Sequence, residues 1–284
     1  VLNVKIIEIL RSMIQLSNKP IEHTKETQSV APQLPVSWYT DPAIYALEEK
    51  HLFQNSAKYW GHALMTPNQG DFYALGWMQD AKALVHNQQG ISLISNICRH
   101  RQAIMLNGQG HTKHIVCPLH RWTYNLQGEL LGAPHFDENP CLHLSNTPLS
   151  NWQGLLFDGK RDIAKDLAKL GCKQDFDFTG YMLDRVMVEE YNFNWKTFIE
   201  VYLEDYHVEP FHPGLNRFVD CDELDWEFGE EYSVQRVGYK PPATNAGSPT
   251  YQAWQQQVAH YHGNKLPKHG AIWMVYYPFL MIEW

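Results

Sequence analysis

Cys98-Arg99-His100-Arg101 and Cys117-Pro118-Leu119-His120-Arg121-Trp122 decide how this chain is read. Two cysteines and two histidines arrive as two short claws, Cys-x-His and Cys-x-x-His, with sixteen residues between them. A thiolate and an imidazole in each claw can hold zinc. They can equally hold a two-iron, two-sulfur cluster, with the thiolates on one iron and the imidazoles on the other. Zinc ribbons use mostly cysteine claws with short spacing at both ends, so the mixed set favours the cluster.

The surrounding residues carry a resemblance. Cys98-x-His100-Arg101, Cys117-Pro118-x-His120-x-Trp122 and the turn Asn125-Leu126-Gln127-Gly128 resemble the Rieske domain of Rieske-type non-haem iron oxygenases. In that family each claw sits at the tip of a hairpin loop. Respiratory Rieske proteins carry an extra cysteine in each claw loop and join the two in a disulfide. The remaining cysteines here are Cys141, Cys172 and Cys221, none in a claw loop. The reduction potential is therefore expected toward the low end of the Rieske range.

A second constellation lies at Glu200-Val-Tyr-Leu-Glu204-Asp205-Tyr-His207-Val-Glu-Pro210-Phe-His212-Pro213. Helical spacing over 195–206 puts Glu200, Glu204 and His207 on one face. His207 and His212, five apart, fall about 140° apart on a continuous helix. Pro210 is expected to break the helix and let His212 swing back. Two histidines and one carboxylate on one side of an iron make the facial triad of non-haem Fe(II) oxygenases. Taken alone, the pair also suits two ordinary histidines near a helix end. With Asn194-Trp195-Lys196 before it, however, the run resembles the catalytic signature of Rieske oxygenase α subunits. It follows the first motif by about 90 residues.

The resemblance implies roles residue by residue. Cys98, His100, Cys117 and His120 would hold the [2Fe-2S] cluster, and His207 and His212 a mononuclear Fe(II). Glu204 matches the acidic position that bridges electrons to a Rieske histidine of a neighbouring subunit, with Asp205 its adjacent competitor. Glu at this position is more typical of members acting on quaternary ammonium compounds. Glu200-Val201 departs from the family's frequent Glu-Asn. The third iron ligand, a carboxylate well after the histidine pair, is not assigned in this chain. Asp220, Asp222, Glu223, Asp225, Glu227, Glu230 and Glu231 read as a solvated acidic face instead.

The 284 residues suffice for two domains, and 44% apolar content supports a sizeable core. A net charge of −8 without a basic cluster argues against nucleic acid. Five cysteines make no disulfide framework, so a reducing cytoplasm is the expected compartment. No apolar run is long enough to cross a membrane. Val1–Leu16 has the spacing of an amphipathic helix, interrupted by charges where a signal core would be continuous. The chain starts at Val and stops inside the apolar run Ala271–Trp284, which reads as a buried strand, so a C-terminally truncated piece of a longer protein is expected.

Along the chain, 1–39 reads as an N-terminal helix and linker packing on the catalytic domain. Thr40-Asp41-Pro42 starts a helix with Ile44, Leu47, Leu52 and Phe53 on its apolar side. Residues 40–158 are expected to form the Rieske domain, Gly-punctuated short strands from about Ala57 to Phe157. Residues 159–284 are expected to hold the N-terminal part of the catalytic iron domain. Within it, 162–170 reads as a helix stopped by Gly171, 183–191 as a strand, and 211–270 as loops and short strands. His111 and His114 fit an exposed hairpin, and His260, His262 and His269 a surface loop. Trp122 and Tyr124 fit packing beside the cluster. Arg99 and Arg101 fit an interface or solvent. The aromatic run from Trp273 to Phe279 suits a pocket for an apolar ring or a cation.

The expected fold class is thus α+β: a small all-β Rieske domain beside a larger domain with an antiparallel sheet and flanking helices. The resemblance implies a terminal oxygenase, mono- or dioxygenase, acting with O2 on an aromatic or quaternary-ammonium small molecule. Electrons would come from NAD(P)H through a separate reductase or ferredoxin, and the subunits would form a homotrimer. A Rieske electron carrier without oxygen chemistry needs only the first motif. A catalytically incomplete fragment is the other alternative.

Overall fold

The computed structural model describes residues 34–240, 248–261, 263–264 and 268–284. The expected helix at Val1–Leu16 lies outside them. The chain divides into two compact units: one comprises Ala57–Ala168 with Cys172–Tyr191, the other the chain to Ser56, Lys169–Gly171 and Asn192–Trp284.

The described chain starts in the second unit with α1 (Ser37–Thr40), α2 (Pro42–Glu48) and a π turn over Glu49–Phe53. Asp41 caps α2 by accepting from the Ala43 N–H, and Pro42 occupies the first turn, where its missing N–H costs nothing. Residues 40–56, expected in the Rieske domain, group instead with 192–284. Apolar packing of Leu52 with Ile199 and Val275 and a buried ion pair tie this segment to that unit. Lys196 Nζ donates to Glu48 Oε1 at 2.6 Å, and both side chains are almost fully buried. Trp195 Nε1 donates to the other Glu48 oxygen at 3.0 Å, and Phe53 packs edge-on against Trp195. Spacing within α2 cannot show a partner 148 residues away. Alanine at Glu48 strands a buried ammonium and is expected to lower stability by about 3–5 kcal/mol. Urea unfolding measures this, and a loss under 1 kcal/mol contradicts the pairing.

The first unit is built from short antiparallel strands. They are β1 (Ala57–His62), β2 (Asp71–Ala74), β3 (Lys82–Asn87), β4 (Gly90–Ser95), β5 (Gln109–His111), β6 (Ile115–Val116), β7 (Thr123–Tyr124), β8 (Leu130–Gly132), β9 (Asn146–Pro148), β10 (Ser150–Trp152) and β11 (Leu155–Gly159). They form sheets of order β5-β2-β3-β4-β9, β1-β11-β10 and β6-β7-β8. Strand β3 is covered on both faces. Ala83 and Val85 feed the core that holds the claw cysteines, and Leu84 feeds one with Met65, Leu75, Leu93 and Leu156. A strand buried on both faces reads as a continuous apolar run, as Ala-Leu-Val does here.

Helix α3 (Ile163–Asp166), capped by Asp162, is shorter than the expected 162–170. The run 183–191 forms no strand among the described residues, and Met187, Val188 and Tyr191 are exposed. Alternation states only that a segment can be half buried; a ladder also needs a partner.

The second unit continues with α4 (Trp195–Tyr202), α5 (Val208–Phe211), the long hairpin β12 (Val219–Phe228) and β13 (Tyr232–Tyr239), α6 (Pro249–Tyr261), β14 (Ala271–Tyr276) and β15 (Leu280–Glu283). The four strands pair antiparallel in sequence order. The reading of 211–270 as loops and short strands is corrected: β12 and β13 have ten and eight residues, and α6 thirteen. Acidic residues hide β12 because its outer face is charged. Arg236 pairs there with Asp225 and Glu227, and Glu227 also accepts from Tyr232 and the Gly171 N–H. Ala271–Tyr276 is buried throughout, as its composition predicts.

Candidate metal centres

The two claws share one backbone design. The Cys98 N–H donates to Ala103 O and the Gln102 N–H to Cys98 O. Likewise the Cys117 N–H donates to Trp122 O and the Arg121 N–H to Cys117 O. Each loop turns through a left-handed residue at the same offset, Gln102 (φ 58°) and Arg121 (φ 60°). The loops are therefore equivalent although histidine stands two residues after Cys98 and three after Cys117. The second loop is held by the turn after it, where the Asn125 side chain accepts from the Gln127 and Glu129 N–H groups. Gly128 there has φ +88°, and a Cβ would meet Leu144 at 3.1 Å.

Cys98 and Cys117 are buried, and all five cysteines are free thiols. The His100 and His120 rings lie 4.6 Å apart. His100 Nδ1 is buried without a hydrogen-bond partner. Burial, with His120 and Arg101 nearby, lowers the His100 pKa, which keeps the imidazole neutral, the form that ligates. Trp122 stacks on His100 at 4.9 Å and 5°, and Phe136 meets both rings edge-on. His120 is exposed. Two thiols and two imidazoles, with one imidazole nitrogen orphaned in a buried place, fit a [2Fe-2S] cluster. Among the described residues no three His, Cys, Asp or Glu side chains converge on one ion.

Tyr124 touches this centre. Its hydroxyl lies 3.6 Å from Cys98 Sγ and accepts from the Arg99 N–H at 3.2 Å, which leaves its own proton for the sulfur. Burial, aided by the Cys98 bond, pushes the phenol pKa up, so the proton stays. A hydrogen bond to a cluster sulfur raises the potential. Removing about 1 kcal/mol of it in Tyr124→Phe is expected to lower the one-electron potential by roughly 40 mV. A redox titration followed by EPR tests this; an unchanged midpoint rejects it.

The second constellation is arranged differently from its expected helix. Helix α4 ends at Tyr202, so Glu204 and His207 do not share a continuous helix. Pro210 is not the break: it sits inside α5, where the first-turn N–H groups have no intrahelical partner anyway. The break lies at 203–207, and His207 caps α5 while His212 closes it. The two rings nevertheless meet, 5.2 Å apart at 76°. Glu204 Oε1 bonds His207 Nδ1 at 2.5 Å, which leaves His207 Nε2 for a metal. Glu204 and His207 are partly exposed, whereas Asp205 turns inward. Burial raises the Asp205 pKa, and the adjacent Cys221 thiol is pushed up to about 11 by burial and Asp205. Glu200 is held by the Tyr39 hydroxyl at 2.5 Å. Two imidazoles side by side, one oriented by a carboxylate, suit Fe(II).

Of the remaining histidines, His111 pairs with Asp71 on exposed β5, and His114 is exposed in the turn that follows. His260 lies in the last turn of α6 rather than in a loop, and His262 lies outside the described residues. Sequence reading missed Glu48 and the Asp205–Cys221 contact, since both depend on long-range pairing.

The fold and the two sites define an iron–sulfur oxygenase subunit, and the chain belongs to the Rieske-type ring-hydroxylating oxygenase family, as an α subunit. Residues 58–149 match the Rieske [2Fe-2S] domain, and residues 176–284 the ring hydroxylating alpha subunit (catalytic domain). The chain is 58% identical over 251 residues to the putrescine 2-hydroxylase of Ralstonia nicotianae, covering 88% of itself and 69% of that protein. It is 50% identical over 266 residues to the putrescine 2-hydroxylase of Bordetella bronchiseptica, covering 88% of itself and 62% of that protein. Its fold is similar to that of the quaternary ammonium Rieske monooxygenase CntA in complex with L-carnitine (TM-score 0.62, 18% identity, 87% of this chain and 66% of that one). It is likewise similar to naphthalene 1,2-dioxygenase from Rhodococcus sp. (TM-score 0.60, 18% identity, 99% and 68%).

Proposed function

We propose that this chain is the oxygenase component of a monooxygenase that hydroxylates a small aliphatic amine, 1,4-diaminobutane (putrescine) being the first candidate. The observation that carries the substrate class is the 58% identity to a putrescine 2-hydroxylase over 88% of the chain. The aromatic or quaternary-ammonium substrate expected from the motif alone is the alternative reading.

Cys98, His100, Cys117 and His120 would hold the cluster, and His207 and His212 the Fe(II). When bound, these groups supply one-electron transfer and the activation of O2. The chain's own residues do the rest. Trp122 and Phe136 cover His100 and keep water from it. Tyr124 holds its proton against Cys98. Glu204 fixes His207 with both oxygens, Oε1 at the ring Nδ1 and Oε2 accepting from the backbone N–H at 3.3 Å, while its side chain stays partly exposed. The exposed His120 ring of a neighbouring copy is the group it would meet. That inward–outward difference supports Glu204 over Asp205 as the bridge, and the bridge requires a homo-oligomer, a trimer in the present reading. A separate reductase or ferredoxin would deliver electrons from NAD(P)H, in the cytoplasm. No described helix is long and apolar enough to cross a membrane.

The test combines composition with turnover. Anaerobically purified protein is expected to hold about three irons and two sulfides per chain, with a Rieske EPR signal on reduction. With a reductase, NAD(P)H and O2, it is expected to convert 1,4-diaminobutane to a 2-hydroxy product. Uncoupled NAD(P)H consumption with no hydroxylated diamine rejects the substrate reading. Two irons per chain, with the same EPR signal, favours the electron-carrier reading.

A further inference from the structure

One row of side chains crosses the β12–β15 sheet: Trp226 pairs with Gln235, Gln235 with Trp273, and Trp273 with Glu283. Directly paired residues of antiparallel strands project to the same face. This face is the one packed under α4 and the histidine segment. Val275 clusters with Ile199 and Leu203, Val237 and Trp273 cluster with Val208, and Tyr202 joins both clusters. Val208 stands next to His207, and its carbonyl accepts from the His212 N–H at 2.8 Å.

Gln235 is the anomaly in this row. It has no exposed surface, and neither Oε1 nor Nε2 has a hydrogen-bond partner. The polar neighbour on its own face of the strand, Ser233, is engaged with the Tyr277 hydroxyl at 3.0 Å. A buried amide left unpaired at both ends is costly and calls for a partner in the working protein. Glu283, at the end of the row, reaches the same neighbourhood: after burial, its charge is the second cause that raises the Tyr202 pKa.

We propose that Trp226, Gln235, Trp273 and Glu283 form the substrate-recognition row, specific for a primary alkylammonium group. The Gln235 carbonyl oxygen accepts an N–H of the ammonium, the two indole faces flank the cation, and Glu283 balances its charge. Side chains covering Gln235 move when the ligand enters. The proposal rests on the amine reading above and adds a selectivity to it. A trimethylammonium group has no N–H to donate, and an aromatic ring has none either, so both leave the amide unpaired and are discriminated against.

The test is calorimetric binding of 1,4-diaminobutane and of butyltrimethylammonium to the anaerobic holoenzyme, wild type and Gln235→Leu. Iron content and the Rieske EPR signal check that each protein is intact. Wild type is expected to prefer the diamine. The leucine variant is expected to bind the diamine at least tenfold more weakly while its affinity for butyltrimethylammonium stays within twofold. If leucine perturbs the fold, Gln235→Met, unbranched and of similar length, carries the same expectation. An intact variant that binds the diamine like wild type overturns the row and leaves the amine reading standing. Wild-type protein that binds no diamine overturns both.

Discussion

His212→Ala is expected to empty the mononuclear site and bring hydroxylation to background, a fall well beyond the 10–100-fold typical of losing an outer-shell partner. His212 and His207 are the imidazoles the fold brings together, with rings 5.2 Å apart. Losing one leaves a single nitrogen donor. His212 is exposed at the end of α5, so its side chain carries little of the packing, and stability should change within about 0.5 kcal/mol. The cluster should keep its EPR signal, because none of its four candidate ligands is touched. Iron analysis is decisive: a drop of one iron per chain with sulfide unchanged is expected. Retained iron would remove His212 from the ligand set.

Glu204→Gln is expected to slow transfer between the two centres by roughly 10–100-fold while both stay loaded. The carboxylate accepts from His207 Nδ1, fixing the tautomer that leaves Nε2 for the metal. A glutamine amide keeps the size but loses the charge, and it can present its NH2 where an acceptor is needed. The measurement is single-turnover reoxidation of the reduced cluster, followed by loss of its EPR signal in the presence of substrate and O2. Asp205→Asn serves as the comparison. Its side chain is buried toward Cys221, so it should leave the transfer rate near wild type if the protein remains folded. Equal slowing in both variants would show that the charge of the acidic pair matters and not the bond to His207.

The claws were legible because a cluster needs particular atoms at short spacing. Cys98, His100, Cys117 and His120 are recognisable before any fold is known, and the turn Asn125–Gly128 follows from local backbone rules. The pairing of His207 with His212 was legible for a different reason from the one that holds. The sequence suggested a helix broken at Pro210, whereas α4 ends at Tyr202 and Pro210 lies within α5. A proline is equally at home in a first helical turn, so its presence does not locate the break.

The hairpin β12–β13 stayed hidden because its acidic outer face looks like a solvated loop until Arg236 is placed against it. Glu48 and Lys196 gave no sign of each other, and the expected Rieske boundary at residue 40 differs from the division of the two units after Ser56. Gln235 lay within the stretch 211–270 that read as loops and short strands, with nothing to single it out.

By itself, the sequence determined which chemistry the chain is equipped for: the ligand types, their spacing and the order of the two centres. These are local, carried by side-chain chemistry over a few consecutive residues. Tertiary structure alone decided that Glu204 orients His207 while Asp205 turns inward, that Glu48 belongs with Lys196, and that Gln235 lies unpaired between Trp226 and Trp273. Each of these depends on burial and on partners supplied by the packing of distant elements, where a desolvated polar group must find its match or remain without one.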